Sequence, residues 1–138
     1  MRQLRTWAVA LLALVGGAGF TLAADDPPSY TKDVKPFLKN YCTQCHSGFR
    51  AKAGYSVDTY DNLLKKGRGG SSLVVPEKPD GSRLMMCMTG KTRRAMPPRG
   101  RAQPKADEID KVREWIKAGA KDDTPAADDP KKNGDAKP

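Results

Sequence analysis

Cys42-Thr43-Gln44-Cys45-His46 is the stretch of this chain whose residue types and spacing could do chemistry on their own. Two thiols three positions apart, on a turn or a helix start, can form thioethers to the two vinyl groups of a haem. An imidazole directly after the second thiol then lies under the iron as proximal ligand. Three plainer readings compete. A zinc cage needs four N, S or O ligands, and the thiols and imidazoles amount to Cys42, Cys45, His46 and Cys87, with no second paired motif. A thioredoxin-like redox pair follows a strand, and no strand pattern precedes Cys42. A disulfide between Cys42 and Cys45 closes too small a loop to stabilise much. Covalent haem attachment is the reading carried forward.

His46 is the single histidine of the sequence, so bis-histidine ligation within the chain is impossible and one haem is expected. The sixth ligand must be Met, Lys, Cys, water or nothing, and the candidates are Met85, Met86, Cys87, Met88 and Met96. Met96 is the strongest, because Ala95-Met96-Pro97-Pro98 stiffens the chain after it and keeps the thioether in a loop. Met85, Met86 and Met88 lie on a short helical pattern, where packing around the macrocycle competes with ligation. For the lone thiol of Cys87, burial is the favoured role, with a dimer bridge or an oxidisable group as the others.

Several elements must position these groups. Tyr30, Val34, Phe37, Leu38 and Tyr41 share one helical face that runs into Cys42, and Pro36 fits that helix only in its first turn. Residues 58–64 predict a short helix capped by Asp58 or Thr59 and closed by Gly67, and residues 82–88 another, capped by Asp80 or Ser82. Ile109, Val112 and Ile116, with Trp115 beside them, make a last helix that Asp107 and Glu108 favour at its start and Gly119 stops; Lys105 is a poor cap for it. Leu73-Val74-Val75 reads as an extended loop before a proline. Residues 67–72 lack the ending and preceding strand of a phosphate loop and read as a flexible connection. The class is all-α, with long loops.

Length and composition agree with a small domain that needs help. The chain has 138 residues, enough for one domain. Residues 1–24 read as a Sec-type signal peptide, with Arg2 and Arg5 before the apolar run Trp7 to Val15 and small residues at Ala23-Ala24. An uncleaved anchor competes, because 18 uncharged residues fall within the ~17–25 that span a bilayer. Export outside the cytoplasm, without stable membrane insertion once the signal is removed, is the expectation. Residues 122–138 form a polar tail excluded from the fold, leaving 25–121 as the domain. The 114 residues after the leader contain 36 apolar ones, roughly a third, below the ~45–50% of ordinary soluble domains. A buried macrocycle would add the missing apolar surface at roughly 25 cal/mol per Å², and the haem-free chain is expected to fold poorly. Residues 25–121 keep a net charge of +9. Lys91, Arg93, Arg94, Arg99, Arg101 and Lys105 surround Met96 with no acid between them, which predicts a positive distal edge. That edge either steers an acidic redox partner or compensates the haem propionates. Nucleic acid is not an expected partner, and a monomer is expected.

From Tyr30 to about Lys121 the chain resembles a planctomycete-type cytochrome c domain, a small class I-like module. The resemblance rests on Val34-Lys35-Pro36-Phe37-Leu38 leading into Cys42-Thr43-Gln44-Cys45-His46, then Val74-Val75-Pro76-Glu77-Lys78-Pro79, Ser82-Arg83-Leu84, Met96-Pro97-Pro98 and Glu108-Ile109 with Trp115-Ile116 and Gly119-Ala120. It implies a cytochrome c-like helical domain around one covalently bound haem c, attached through Cys42 and Cys45 and ligated by His46 and Met96. Lys105 departs from the Ser or Thr the family uses as last-helix cap, and Met86-Cys87-Met88 replaces an aliphatic stretch. Thioether sulfur stabilises ferrous iron, and a six-coordinate iron leaves no open site. The expected function is therefore that of a non-enzymatic monohaem carrier of single electrons, its macrocycle packed among Phe37, Tyr41, Leu84 and Trp115. The alternative is a peroxidase-like or ligand-sensing haem module with an open or displaceable distal site. A peroxidase would want a distal acid–base histidine, and none remains.

Overall fold

The computed structural model describes residues 26–126. The signal expected over 1–24 and the tail from 127 onward lie outside the described residues. The architecture is all-α, with no strand among the described residues and one isolated antiparallel bridge between Lys66 and Ser72. No helix among them is long and apolar enough to cross a membrane.

The chain opens with a π-helical turn, Tyr30–Val34, that continues into α1, Lys35–Tyr41. Pro36 lies in the first turn of α1, as expected, and the π turn extends the helical path back to Tyr30. Proline has no N–H to donate and its ring crowds a regular preceding turn. The wide i to i+5 turn absorbs that conflict, with Val34 N–H donating to Ser29 O at 3.2 Å and Lys35 N–H donating to Tyr30 O. Ser29 is the cap: its hydroxyl accepts from Lys32 N–H at 3.0 Å.

α2, Tyr60–Leu64, is capped by the Thr59 hydroxyl, which accepts from Asn62 N–H. α3 spans Arg83–Met88, and Ser82 precedes it in extended conformation without capping it. Ser82 is fully buried and its hydroxyl turns to the preceding loop instead, accepting from Val75 N–H at 2.9 Å and donating to Lys78 O at 2.9 Å. It pins the extended Leu73-Val74-Val75 segment under α3, where Val74 N–H also reaches Leu63 O at 2.9 Å.

α4 spans Ala106–Lys117, with Lys105 as its N-cap residue. The missing Ser or Thr cap is replaced from within the helix, since Glu108 Oε2 accepts from Lys105 N–H at 2.8 Å and from the Tyr41 hydroxyl at 2.9 Å. The same bond raises the Tyr41 phenol above its ordinary value. Gly119, at φ +97°, ends the helix as expected, with Gly119 N–H donating to Ile116 O and Ala120 N–H to Trp115 O.

α4 packs on the π turn and on α3. Val34, Leu38, Leu63, Val112, Trp115 and Ile116 are almost fully buried there. Tyr30 stacks on Trp115 with centroids 5.7 Å apart, and Tyr60 meets Tyr30 edge-on at 5.4 Å. Burial, then the Asp122 carboxylate, pushes the Tyr30 phenol up to about 12. The segment after α4 closes this core. Trp115 Nε1 donates to Lys121 O at 2.9 Å and the Tyr60 hydroxyl to Ala120 O at 2.8 Å. Asp123 accepts from the Ser29 hydroxyl and from Thr31 N–H at 2.8 Å. Hydrogen-bonded structure therefore continues past residue 121, because one aspartate finds the free donors of a helix start that composition alone does not disclose.

Candidate haem site

α1 ends at Tyr41, and the chain turns at once into the thiol motif. Cys42 N–H and Thr43 N–H both donate to Leu38 O, at 2.8 and 3.1 Å. Cys45 N–H and His46 N–H both donate to Cys42 O, at 3.1 and 3.0 Å, so the five residues form one tight turn hung from the helix. The thiols of Cys42 and Cys45 are free and half-buried. Burial pushes the Cys42 thiol up to about 11, which keeps it a neutral thiol near pH 7 and opposes the thiolate form that a metal cage uses. Among the described residues no three His, Cys, Asp or Glu side chains converge as such a cage.

His46 is fixed at three points. Besides its own N–H, its carbonyl accepts from Val57 N–H at 2.8 Å, and Nδ1 lies 3.1 Å from Tyr55 O. A carbonyl oxygen only accepts, so Nδ1 carries the proton and Nε2 keeps its lone pair for a metal. Tyr55 is itself locked: it is buried, its hydroxyl donates to Ser71 O at 3.0 Å, and its ring fills the space at Gly67, where a Cβ would fall 2.3 Å from ring atoms. Residues 67–72 are thus a closed turn, with Gly67 N–H on Ser71 O at 3.0 Å, and not a loose connection. Tyr55 is a site residue that the sequence reading missed. A lone aromatic in a loop belongs to no periodic pattern.

Cys42, Cys45, His46 and Met96 all line one cavity of about 1560 Å³. That exceeds the roughly 300–1,000 Å³ typical of drug-sized ligands. Phe37, Tyr41, Val57, Leu73 and Leu84 supply apolar wall. Trp115, expected against the macrocycle, is not there; its indole is spent on Tyr30 and Lys121 in the helical core. The sulfur candidates separate as well. Met85 is buried in the core and Met86 does not reach the cavity, whereas Cys87, Met88 and Met96 line it. Met96 is tied to α3 through its N–H on Cys87 O at 3.1 Å, and the Thr92 hydroxyl points at Cys87 Sγ at 3.7 Å.

The positive edge takes a different membership from the one expected. Arg93, Arg94, Arg99 and Arg101 line the cavity, joined by Lys52 and Arg83. Lys91 pairs with Asp80 at 2.8 Å and Lys105 sits at the start of α4. Arg101 also donates to Gln44 Oε1 at 3.0 Å, tying the loop that carries Met96 to the thiol turn.

Two free thiols three positions apart on one turn, an imidazole with Nε2 unprotonated and a wide apolar cavity with a cationic rim fit a covalently attached haem. Residues 42–100 match the family model described as planctomycete cytochrome C. That span holds the thiol motif and Met96 and leaves α1 and α4, on which the resemblance also drew, outside it. No curated protein and no solved structure matches the chain.

Proposed function

We propose, from the match of residues 42–100 to the planctomycete cytochrome C family model, that this chain is a monohaem electron carrier working outside the cytoplasm, with the iron held by His46 and Met96. A bound haem supplies an iron that passes one electron at a time between ferric and ferrous states. Cys42 and Cys45 keep the cofactor on an exported chain through thioether bonds. His46 would serve as the imidazole ligand of the iron, oriented by the Tyr55 carbonyl; that hydrogen bond is the observation that carries the proposal, since it fixes the tautomer and leaves Nε2 to bind the metal. Met96, which lines the same cavity, would supply a thioether as the second protein ligand and so close the iron to exogenous ligands, favouring electron transfer over oxygen chemistry. Phe37, Tyr41 and Leu84 exclude water from the macrocycle and lower the local dielectric.

The exposed Arg93, Arg94, Arg99 and Arg101 give the cavity rim a charge that steers an acidic redox partner. The protein acts as a monomer released from its signal. The ferric optical spectrum tests the ligation: the account expects a near-infrared methionine-to-iron band that disappears in Met96→Ala. Ready binding of cyanide or carbon monoxide by the unaltered protein contradicts it and supports the open-site reading.

A further inference from the structure

Six cations line the haem cavity, and they are not alike. Lys52, Arg93, Arg94, Arg99 and Arg101 are exposed, whereas Arg83 is half-buried at the start of α3. Its guanidinium lies 5.8 Å from the centroid of the Tyr55 ring. The ion pairs among the described residues do not include Arg83, and no carboxylate lines the cavity. A partly desolvated guanidinium without an acid is a cost that stacking on one ring, worth about 0.5–2 kcal/mol, offsets only in part. The arrangement is held in place from behind, because Tyr55 is anchored by its hydroxyl on Ser71 and by its close fit at Gly67.

A haem brings two propionate carboxylates into a cavity that has no acid of its own. We infer that Arg83 is the inner anchor for one haem propionate, its flat fork of N–H donors gripping the carboxylate at two points while its face rests on Tyr55. This rests on the haem reading above. Tyr55 then serves both ends of the cofactor, its carbonyl orienting His46 and its ring positioning Arg83. The anchored carboxylate stays ionised through the neutral range, and the exposed cations remain available for a partner.

The test is the midpoint potential of the purified holoprotein against pH, measured spectroelectrochemically for the unaltered chain, Arg83→Gln and Arg83→Lys. Carboxylates ordinarily titrate near about pH 4 and climb when desolvated and unpaired. The unaltered protein and Arg83→Lys are expected to hold a flat potential from about pH 5 to about pH 8. Arg83→Gln is expected to show a lower potential at neutral pH and a new pH-dependent slope across that window. An Arg83→Gln protein with full haem content, the same potential and the same flat profile overturns the inference and leaves Arg83 as a cover for Tyr55. If Arg83→Gln does not fold, the redox-difference infrared spectrum of the unaltered holoprotein decides. Only ionised propionate bands at about pH 5 support the anchor, and a protonated propionic acid band on both propionates there refutes it. Failure of the haem reading looks different, as the unaltered chain would then show no redox couple at all.

Discussion

The two ends of the helical path from Tyr30 to Tyr41 sit in different surroundings. At its start, Tyr30 and Val34 meet Trp115, Tyr60 and α4 in a core whose side chains satisfy one another, with the Asp123 and Lys121 contacts closing it. At its end, Tyr41 and Cys42 open onto a cavity of about 1560 Å³ walled by the end of α1, by α3 and Leu73, and by the loops of residues 42–57 and 90–102. The first region is finished by the polypeptide. The second is shaped by hydrogen bonds among loops and has apolar walls facing one another across a gap, which costs dispersion contacts unless something fills it. A small chain short of apolar residues can be stable when its helical half is self-sufficient and its other half is completed by a cofactor.

Trp115→Ala should separate the two regions most sharply. It removes the largest buried side chain of the helical core and should cost about 3–5 kcal/mol, read as a lowered midpoint of denaturant unfolding. The haem spectrum of the protein that remains folded should not change, because Trp115 does not line the cavity. A spectral change of the size seen in ligand variants would mean that the regions are not separate.

Gly67→Ala probes the reverse case. The added Cβ would fall 2.3 Å from the Tyr55 ring, so Tyr55 must move. Overpacking of this kind costs about 1–3 kcal/mol. Because the Tyr55 carbonyl holds His46 Nδ1, the same variant should also shift the reduction potential, a coupling absent from Trp115→Ala.

The smallest effect belongs to the clasp. Partial burial works to raise the Asp123 carboxyl, but hydrogen bonds from Ser29 and Thr31 outweigh it and hold the group below the ordinary carboxylate range. A group whose folded value is depressed stabilises above its unfolded pKa, near about 4, and that contribution disappears as pH falls through the folded value. Asp123→Asn should therefore cost about 0.5–1 kcal/mol at pH 7 and nothing measurable at the acid end of the transition, checked by unfolding at the two pH values.

The thiol motif, α1 and α4 were legible because each carries its signal locally: fixed spacing in Cys42 to His46, and 3.6-residue periodicity in the two helices. Periodicity tells which side chains are buried and is silent on what they meet, which is why Trp115 was expected at the macrocycle and lies against Tyr30 instead. Ser82 carries a helix-cap signal, yet its buried hydroxyl satisfies a loop 4 to 7 residues earlier in the sequence. Tyr55, Arg83 and Asp123 matter through contacts 9 to 94 residues apart, and no local pattern marks such pairings. Lys105 is a poor cap by residue type, and the remedy lies three residues on, in Glu108.

Intact mass spectrometry of the chain, produced with a haem-maturation system and then denatured, tests covalent attachment through Cys42 and Cys45 most directly. The account predicts the mass of the mature polypeptide plus one haem, retained after acid and organic solvent, and lost in the double variant Cys42→Ala, Cys45→Ala. A compact, colourless protein at the bare polypeptide mass would contradict it.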